Sequence, residues 1–403
     1  MKFSDYGGKY LKYMSKSVRN VRVVVKGPRE NRPFNHSLDQ ILEFILENCC
    51  PKLISLNLDI REQFTVHHGE MIRSILNGLK FLSFTDESPD TDVYFNILRH
   101  CTNLKKFTYN DDRLSKPEAI RWIFNEQLKL DELTVNVAYI SLANEFEQLA
   151  LQYMQQNPQL RFLSYHAKSK VIEVRLTNGI VECVSLNYFN VAKINEIRDD
   201  LKLFTFDGNP GKLWIRAQSG CSVGNFEEIV QLNRIQPILK FTTSLYDFCH
   251  YTSIIYMNHL TALELTFANA ITPGFTIPSY LELLCKGLPN LKKFILNFTF
   301  QSITPKLRLD AITQPFVANL PKLTYFRMNV KDDQFIECNE NDVNVLNAAR
   351  SALMNACPLT ISLNYSYICS RPSFNVPDKS LVQMEFGGGY LEPGFEFPPP
   401  SPT

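Results

Sequence analysis

One short hydrophobic pattern recurs along most of this chain. A large apolar residue is followed at +3 and +5 by two more, as in Leu53, Leu56 and Leu58 of LISLNL. Because alternate residues of a strand point to the same face, each copy predicts a short β-strand with one buried face. Two weaker copies begin at Val18 and Val181. The clear copies begin at Leu53, Leu79, Leu104, Leu130, Leu160, Leu201, Leu260, Leu291, Leu323 and Leu381.

The copies recur at similar distances. Successive first leucines lie 26, 25, 26 and 30 residues apart between Leu53 and Leu160, and 31 and 32 apart between Leu260 and Leu323. The intervening segments carry apolar residues three and four apart, which predicts helices. Ser37 precedes the first of them as a predicted N-cap. The predicted helices lie in SLDQILEFILENC, GEMIRSIL, RWIF, EFEQLALQYMQQ, SYLELLCKGL and NVLNAARSALMNAC.

A unit of one strand and one helix cannot bury its apolar face alone, so neighbouring units must stack on a continuous core. The predicted fold class is α/β, a horseshoe-shaped solenoid with parallel strands on the concave face and helices on the convex face. We assign residues 1–16 to a lead-in, 17–390 to the repeats and 391–403 to a tail. About 12–13 repeats are expected in the array.

Two stretches of the array are irregular. In residues 168–190, the segment KVIEVRLTNGIVECVSL is interpreted either as the weak copy from Val181 or as an inserted β-hairpin around Asn178-Gly179. In residues 208–258 one more repeat is expected near Ile235–Ile238.

The end of the array carries glycine and proline. The run Gly387–Gly389 follows the last strand pattern and predicts a terminal cap with positive φ angles. Beyond it, Leu391–Thr403 contains five prolines, which predicts an extended, mobile tail.

The repeats resemble the leucine-rich repeats of the ribonuclease-inhibitor-like and cysteine-containing types. The resemblance covers roughly residues 17 to 390 and is carried by the helix endings NCCPKL, HCTNLKKF, NPQLRFL, GLPNLKKF and NLPKLTYF. The family places Asn or Cys at +8, whereas this chain has residues such as Arg61 and Glu87 there and matches at Asn209. The loops after the strands are therefore expected to be irregular.

A second resemblance covers only the start of the chain. The segment FSDYGGKYLKYMSKSVRNVRVVV is similar to the one that follows the F-box in animal F-box/leucine-rich-repeat proteins. The F-box itself is absent from the sequence, so coupling to a ligase would require an F-box supplied upstream.

The charge balance limits the classes of partner. Lys and Arg number 42 and Asp and Glu 41, so no net field attracts nucleic acid or a membrane surface. No apolar run approaches the roughly 18 residues of a membrane span, and Met1–Tyr10 lacks the apolar core of a signal peptide. We expect a cytoplasmic or nuclear monomer. The sequons at Asn35, Asn297 and Asn364 are then chance matches.

The candidate chemistry points away from an enzyme. The ten cysteines include no C-x-x-C, and reduced thiols are expected. Phosphate-binding, zincin and hydrolase motifs are absent from the sequence. His67-His68, placed before the helix GEMIRSIL, and Cys249-His250 are adjacent in sequence, so their side chains do not face each other. We predict no catalytic, cofactor-binding or metal-binding residues.

The strand alternation defines a surface that could bind a partner. If the residues at +3 and +5 point into the core, those at +2, +4 and +6 point out across the concave sheet. Small polar residues dominate +4 and +6, and ladder hydrogen bonding between parallel strands explains them. Large side chains interrupt the +2 positions, as a protein partner would require. The candidate protein-binding residues are Phe81, Lys106, Phe162, His166, Leu203, Tyr325 and Arg327.

The resemblance to F-box/leucine-rich-repeat proteins implies a non-enzymatic substrate receptor of an SCF-type ubiquitin ligase, holding an unidentified protein target on the concave face. Two alternatives stay open: an extracellular leucine-rich-repeat receptor ectodomain, suggested by the sequons, and a leucine-rich-repeat scaffold with no role in ubiquitin transfer.

Overall fold

The structure is a computed structural model. The predicted lead-in, the tail and the copy from Leu201 lie outside the residues that it describes. Those residues are 19–25, 38–49, 53–60, 66–86, 98–111, 117–125, 128–137, 143–166, 170–188, 212–217, 229–231, 233, 237–245, 252–267, 277–298, 307–332, 336–337, 340–367 and 380–388.

Two compact units make up the chain, and the first contains the described residues as far as Val184. Its first six strands are parallel neighbours in chain order. The strands are β1 (Asn20–Val25), β2 (Ser55–Ile60), β3 (Phe81–Asp86), β4 (Lys106–Asp111), β5 (Glu132–Val137), β6 (Phe162–His166), β7 (Lys170–Thr177) and β8 (Ile180–Tyr188), the last of which continues past Val184. The helices are α1 (Leu38–Cys49), α2 (Val66–Leu76), α3 (Pro117–Asn125) and α4 (Ala143–Gln156).

The residues at the predicted inward positions, +3 and +5, form the core of the first unit. Leu56 and Leu58 are 1% and 2% exposed, and the register aligns Leu56 with Leu82 of the next strand. Phe84 and Phe107 extend this core as an edge-to-face ring pair with centroids 5.3 Å apart. The inward residues of successive repeats therefore form continuous apolar rows.

The irregular stretch at 168–190 is the inserted hairpin. Strand β7 runs antiparallel to β6, and Asn178 and Gly179 turn the chain into β8 with φ angles of 51° and 79°. Positive φ at both central residues is characteristic of a type I′ turn. Strand β8 also keeps the buried repeat pattern, since Val184 and Leu186 are both 0% exposed. One antiparallel strand thus interrupts the parallel order.

The second unit begins at Ser185, and the main strands from β9 onward are parallel neighbours in chain order. These are β9 (Lys212–Ala217), β10 (Ile238–Leu245), β11 (Ala262–Phe267), β12 (Lys293–Phe298), β14 (Tyr325–Asp332), β16 (Leu359–Tyr367) and β17 (Val382–Gly388). A separate two-stranded sheet contains β13 (Leu307–Arg308) and β15 (Ile336–Glu337). The helices are a 3-10 helix (Thr252–Tyr256), α5 (Ile277–Gly287), α6 (Leu309–Asn319) and α7 (Glu340–Ser351).

A buried arginine joins α7 to the end of α6. Arg350 is 0% exposed and donates to carbonyl oxygens that lie in the last turn of α6 and in the segments after α6 and α7. The last carbonyl groups of a helix have no intrahelical donors, and the N–H groups of this guanidinium act as their donors. The acceptors are Val317 (3.3 Å), Leu320 (2.8 Å), Pro321 (3.1 Å), Leu323 (2.7 Å) and Cys357 (2.8 Å).

Some local predictions are wrong. Gly387 and Gly388 belong to β17 and pair with Asn364 and Tyr365, so they extend the sheet and do not cap it. His67 and His68 lie inside α2, because that helix begins at Val66.

Two strands of the second unit do not correspond to any of the predicted copies of the repeat pattern. Of the β9 side chains that the structure describes, Leu213 and Ile215 are buried, and β16 has Pro358 in place of the first leucine. The extra repeat expected near Ile235–Ile238 is β10, which begins at Ile238 and buries Phe241.

The predicted fold class, an α/β leucine-rich-repeat solenoid, is confirmed: apart from the hairpin strands β7 and β8, neighbouring strands of the main sheet in each unit are parallel and follow chain order, and helices connect many of them and pack on neighbouring helices. Among the described residues, no helix has the length and apolar character needed to cross a membrane.

Candidate functional site

The open face is the side of each sheet to which the +2, +4 and +6 side chains point. In β5 the alternation is regular, with Leu133, Val135 and Val137 buried and the residues between them partly exposed. The predicted outward columns therefore lie on one face.

Asparagine side chains form a ladder on the open face of the second unit. Asn329 donates from Nδ2 to Oδ1 of Asn297 at 2.5 Å, and Asn364 donates to Oδ1 of Asn329 at 3.1 Å. Asn297 donates in turn to Glu264 Oε1 at 2.9 Å and to Thr266 Oγ1 at 3.1 Å. These bonds join neighbouring repeats, so the small polar residues of the +6 column have the structural role expected for them.

The ladder also bears on the glycosylation sequons. A glycan is attached at Nδ2, and in Asn297 and Asn364 this atom is a ladder donor. Glycosylation at either position would disrupt the bonds between repeats. The third sequon, at Asn35, lies outside the described residues.

In the first unit, the structure aligns three predicted site residues in one +2 row. Phe81, Lys106, Glu132 and Phe162 are successive partners on adjacent strands. Phe81 is 40% exposed, and Phe162 is half-buried at the other end of the row. Lys106 Nζ lies 2.5 Å from Glu132 Oε2. The row therefore presents two aromatic rings separated by an ion pair.

His166 forms a local hydrogen bond with a serine of the same strand. Its Nε2 lies 2.7 Å from Ser164 Oγ, and burial lowers the pKa of the imidazole. The pair has the residue types of a nucleophile and its base, but Ser164 is 2% exposed, and a substrate carbonyl cannot approach its hydroxyl. The bond instead fixes His166 at the end of β6.

In the second unit, the structure brings together Tyr325, Arg327 and Lys293. Arg327 donates from Nε to the Tyr325 hydroxyl at 2.8 Å, and its Cζ lies 5.5 Å from the ring centroid. Lys293 Nζ lies 5.2 Å from the same centroid. Burial lowers the pKa of Lys293, the neighbouring charge of Arg327 lowers it further, and Glu264 opposes the shift. Two cations thus flank one aromatic ring.

Sequence reasoning missed three residues beside this group. Lys240 Nζ lies 3.6 Å from the Trp214 ring centroid, and Arg216 Nη2 lies 3.8 Å from Glu264 Oε2. Trp214 and Arg216 were missed because β9 was not predicted, and Lys240 because the repeat expected near Ile235–Ile238 was given no outward positions. The available signal was the alternation in KLWIRA, in which Leu213 and Ile215 are buried.

The remaining predictions concern Leu203, metals and cysteines. Leu203 lies outside the described residues. Within the described ranges, no group of three or more His, Cys, Asp or Glu residues is arranged to hold a metal ion. Burial raises the pKa of Cys101 and of Cys285 to about 12, which makes both thiols poor nucleophiles.

The comparisons with known proteins give likenesses to solved structures only. No protein-family model matches the chain, and no curated protein matches it. The crystal structure of the mouse RP105/MD-1 complex is similar with a TM-score of 0.38 and 14% sequence identity. The match covers 83% of this chain and 55% of that chain, so this chain spans about half the length of its structural neighbour. A likeness at this TM-score carries no functional argument.

Proposed function

We propose that this chain is a non-enzymatic recognition module that binds a protein partner on the open face. The observation that carries the proposal is the exposed Phe81, which lies between Ser55 and Lys106 in the +2 row of a sheet of fixed register. Exposed aromatic residues are frequent anchors of protein interfaces, and a rigid scaffold lowers the entropic cost of binding. Phe162 and Tyr325 are the corresponding rings on β6 and β14.

Site-specific photo-crosslinking tests this surface. We would place a photoreactive phenylalanine analogue at Phe81 or Tyr325 on the open face, and at Leu283 or Val345 on helices α5 and α7 as matched controls. Leu283 and Val345 are exposed to a similar degree as Phe81, at 37%, 38% and 40%. We expect one protein to crosslink from the open-face positions and not from the controls, and expect Phe81→Ala or Tyr325→Ala to reduce its capture. Capture from the helices alone would contradict the proposal.

Within this proposal, the partner is the target of an SCF-type ubiquitin ligase. The support is the resemblance of residues 3–25 to the segment after the F-box and of the repeats to F-box/leucine-rich-repeat proteins. An F-box would supply the link to the ligase. A pull-down of the F-box-binding adaptor subunit with this chain, and with a form extended upstream, separates a ligase receptor from a scaffold without a ubiquitin role. Binding by neither form would contradict the ligase role.

The alternative is an extracellular ligand-binding ectodomain. The sequons suggest it, whereas Asn297 and Asn364 use their Nδ2 atoms in the ladder. An extracellular domain is also expected to carry disulfide-paired cysteines. Counting thiols under denaturing, non-reducing conditions tests it directly. Ten reactive thiols would contradict the extracellular alternative, and several disulfide bridges would support it.

A further inference from the structure

A cluster of basic and aromatic side chains occupies neighbouring strands of the second unit. Its members lie in the +2 and +4 rows of the open face, on strands β9, β10, β12 and β14. We call it the basic-aromatic patch, and it consists of Trp214, Arg216, Lys240, Lys293, Tyr325 and Arg327.

Positive charge exceeds negative charge in these rows. From β9 to β14, the described +2 and +4 positions hold four cations and a single carboxylate, that of Glu264. Glu264 is 6% exposed and already interacts with Arg216 and Asn297, and its Oε2 accepts a weak hydrogen bond from Thr242 at 3.4 Å. Its Oε2 therefore faces Arg216 and Thr242 on the β9 side, its Oε1 faces Asn297 on β12, and its single charge cannot balance four cations.

The β14 side keeps an excess of positive charge. Arg327 bonds to the neutral hydroxyl of Tyr325 through Nε, and within the described part of the chain it makes no other hydrogen bond or ion pair. Its two Nη groups are thus available for a bidentate carboxylate. Burial and then the neighbouring charge of Arg327 lower the pKa of Lys293 on the adjacent strand, and Glu264 opposes that shift. An added anion would relieve this repulsion.

The dimensions of the patch limit its ligand. Four strand spacings of about 4.8 Å separate β9 from β14, so the patch spans roughly 19 Å. A single small anion cannot contact both ends. Nucleic-acid binding depends on neutralising many phosphates with Lys and Arg, whereas these rows hold four cations and the chain has a net charge of only +1.

We propose that the basic-aromatic patch binds an acidic, extended segment of the protein partner, whose carboxylates pair with Arg327 and Lys293 and whose apolar groups contact the rings of Tyr325 and Trp214. This inference rests on the proposed function and specifies the chemistry of the partner. In an extended segment, alternate side chains lie about 7 Å apart on one side, which lets successive acidic residues reach cations on different strands.

Fluorescence anisotropy with the full chain tests the inference. The probe is a fluorescein-labelled twelve-residue peptide of alternating Glu and Ala, and the matched probe has Gln in place of Glu. We expect binding of the Glu probe only, weakened when NaCl is raised from about 50 to about 150 mM, because the Debye length then shortens to about 8 Å. Arg327→Gln and Lys293→Gln should each weaken binding about fivefold, the upper range for one exposed ion pair.

Lys286→Gln is the control variant, because Lys286 pairs with Glu282 on helix α5 and the substitution removes the same charge. It should leave the affinity unchanged. Equal affinity for the two probes, an equal loss in Lys286→Gln, or preferential displacement of the Glu probe by a DNA duplex would each overturn the inference. If one of these results were obtained and a protein still crosslinked from Phe81 or Tyr325, the proposed function would stand. Only the acidic chemistry of the partner would then be rejected.

Discussion

At the scale of single residues, Arg350 is the clearest case of a side chain that binds backbone groups distant from it in the sequence. It is completely buried, and its acceptors are five carbonyl oxygens, not a carboxylate. A buried charge is costly unless hydrogen bonds satisfy it, and here the same bonds also satisfy carbonyls at the end of α6. The arginine and the helix end therefore depend on each other.

Replacing Arg350 should destabilise the fold strongly. Arg350→Leu keeps an apolar stem but leaves the carbonyls without donors, and we expect a loss of about 3 kcal/mol or more in the free energy of unfolding. Chemical denaturation monitored by circular dichroism measures it. Arg73→Leu is the matched control, since Arg73 is exposed and contacts only Glu70 at 3.4 Å among the residues described. A similar small effect in both variants would show that the Arg350 bonds contribute little.

His166 should make stability depend on pH. Its folded-state pKa is lowered by burial, so below the ordinary pKa of about 6.5 the unfolded chain takes up a proton more readily than the folded chain. Stability should therefore fall as the pH decreases from 7.5 to 5.5, and His166→Gln should lose part of that dependence. Denaturation of both proteins at the two pH values measures the difference. Identical pH dependence would contradict a neutral, buried imidazole.

At the scale of elements, the contact between α5 and the preceding 3-10 helix requires glycine. A Cβ atom built on Gly287 would lie 2.3 Å from the carbonyl oxygen of Ile255 and 2.5 Å from its Cβ. The close approach of these two elements is thus possible only where the helix has no side chain. Neither the helix pattern of SYLELLCKGL nor its turn composition indicated this contact.

Gly287→Ala should push α5 away from the 3-10 helix. The added methyl group meets backbone, which cannot rotate away, and we expect a loss of about 1–3 kcal/mol, as for other overpacked sites. Thermal and chemical denaturation measure the loss. Gly78→Ala is the matched control, because the nearest atom to its new Cβ is the carbonyl oxygen of Ile75 at 3.7 Å. Equal stability of the two variants would mean that the helices separate at no cost.

At the scale of the whole molecule, stability comes from stacking each repeat on the next. Strand β17 covers the edge of β16 in register, and Ile361 and Leu363 of β16 are 0% exposed. A repeat array has little else to protect such an edge, because each unit contacts mainly its neighbours.

The effect of a C-terminal deletion on stability should therefore depend on whether the deletion includes β17. Deleting the chain from Leu381 removes β17, exposes apolar side chains of the preceding repeat, and is expected to make the protein insoluble or lower its melting temperature markedly. Deleting residues 392–403, the Pro-rich tail predicted from the sequence, should leave the melting temperature unchanged. A loss of stability from the shorter deletion would mean that this segment packs on the repeats.

The sequence by itself determined the strands, their buried faces and their parallel stacking, because the side-chain alternation of a strand and the need to bury its apolar face are local consequences of the Leu pattern. Where that pattern was degraded, at Pro358 and in KLWIRA, the strand was not found. The hairpin at Asn178-Gly179 was predictable as an alternative, since positive φ favours those residue types.

Only the tertiary structure decided which side chains of different repeats meet. The outward positions of Phe81, Lys106, Tyr325 and Arg327 followed from alternation, but the pairing of Lys106 with Glu132 depends on register and rotamer. The joining of the β9 and β14 residues into one patch likewise depends on the strand order, because Trp214 and Tyr325 are far apart in the sequence. Side chains that are distant in sequence become neighbours on the open face and set its charge, its aromatic contacts and its burial. The repeat pattern does not show which side chains will be neighbours.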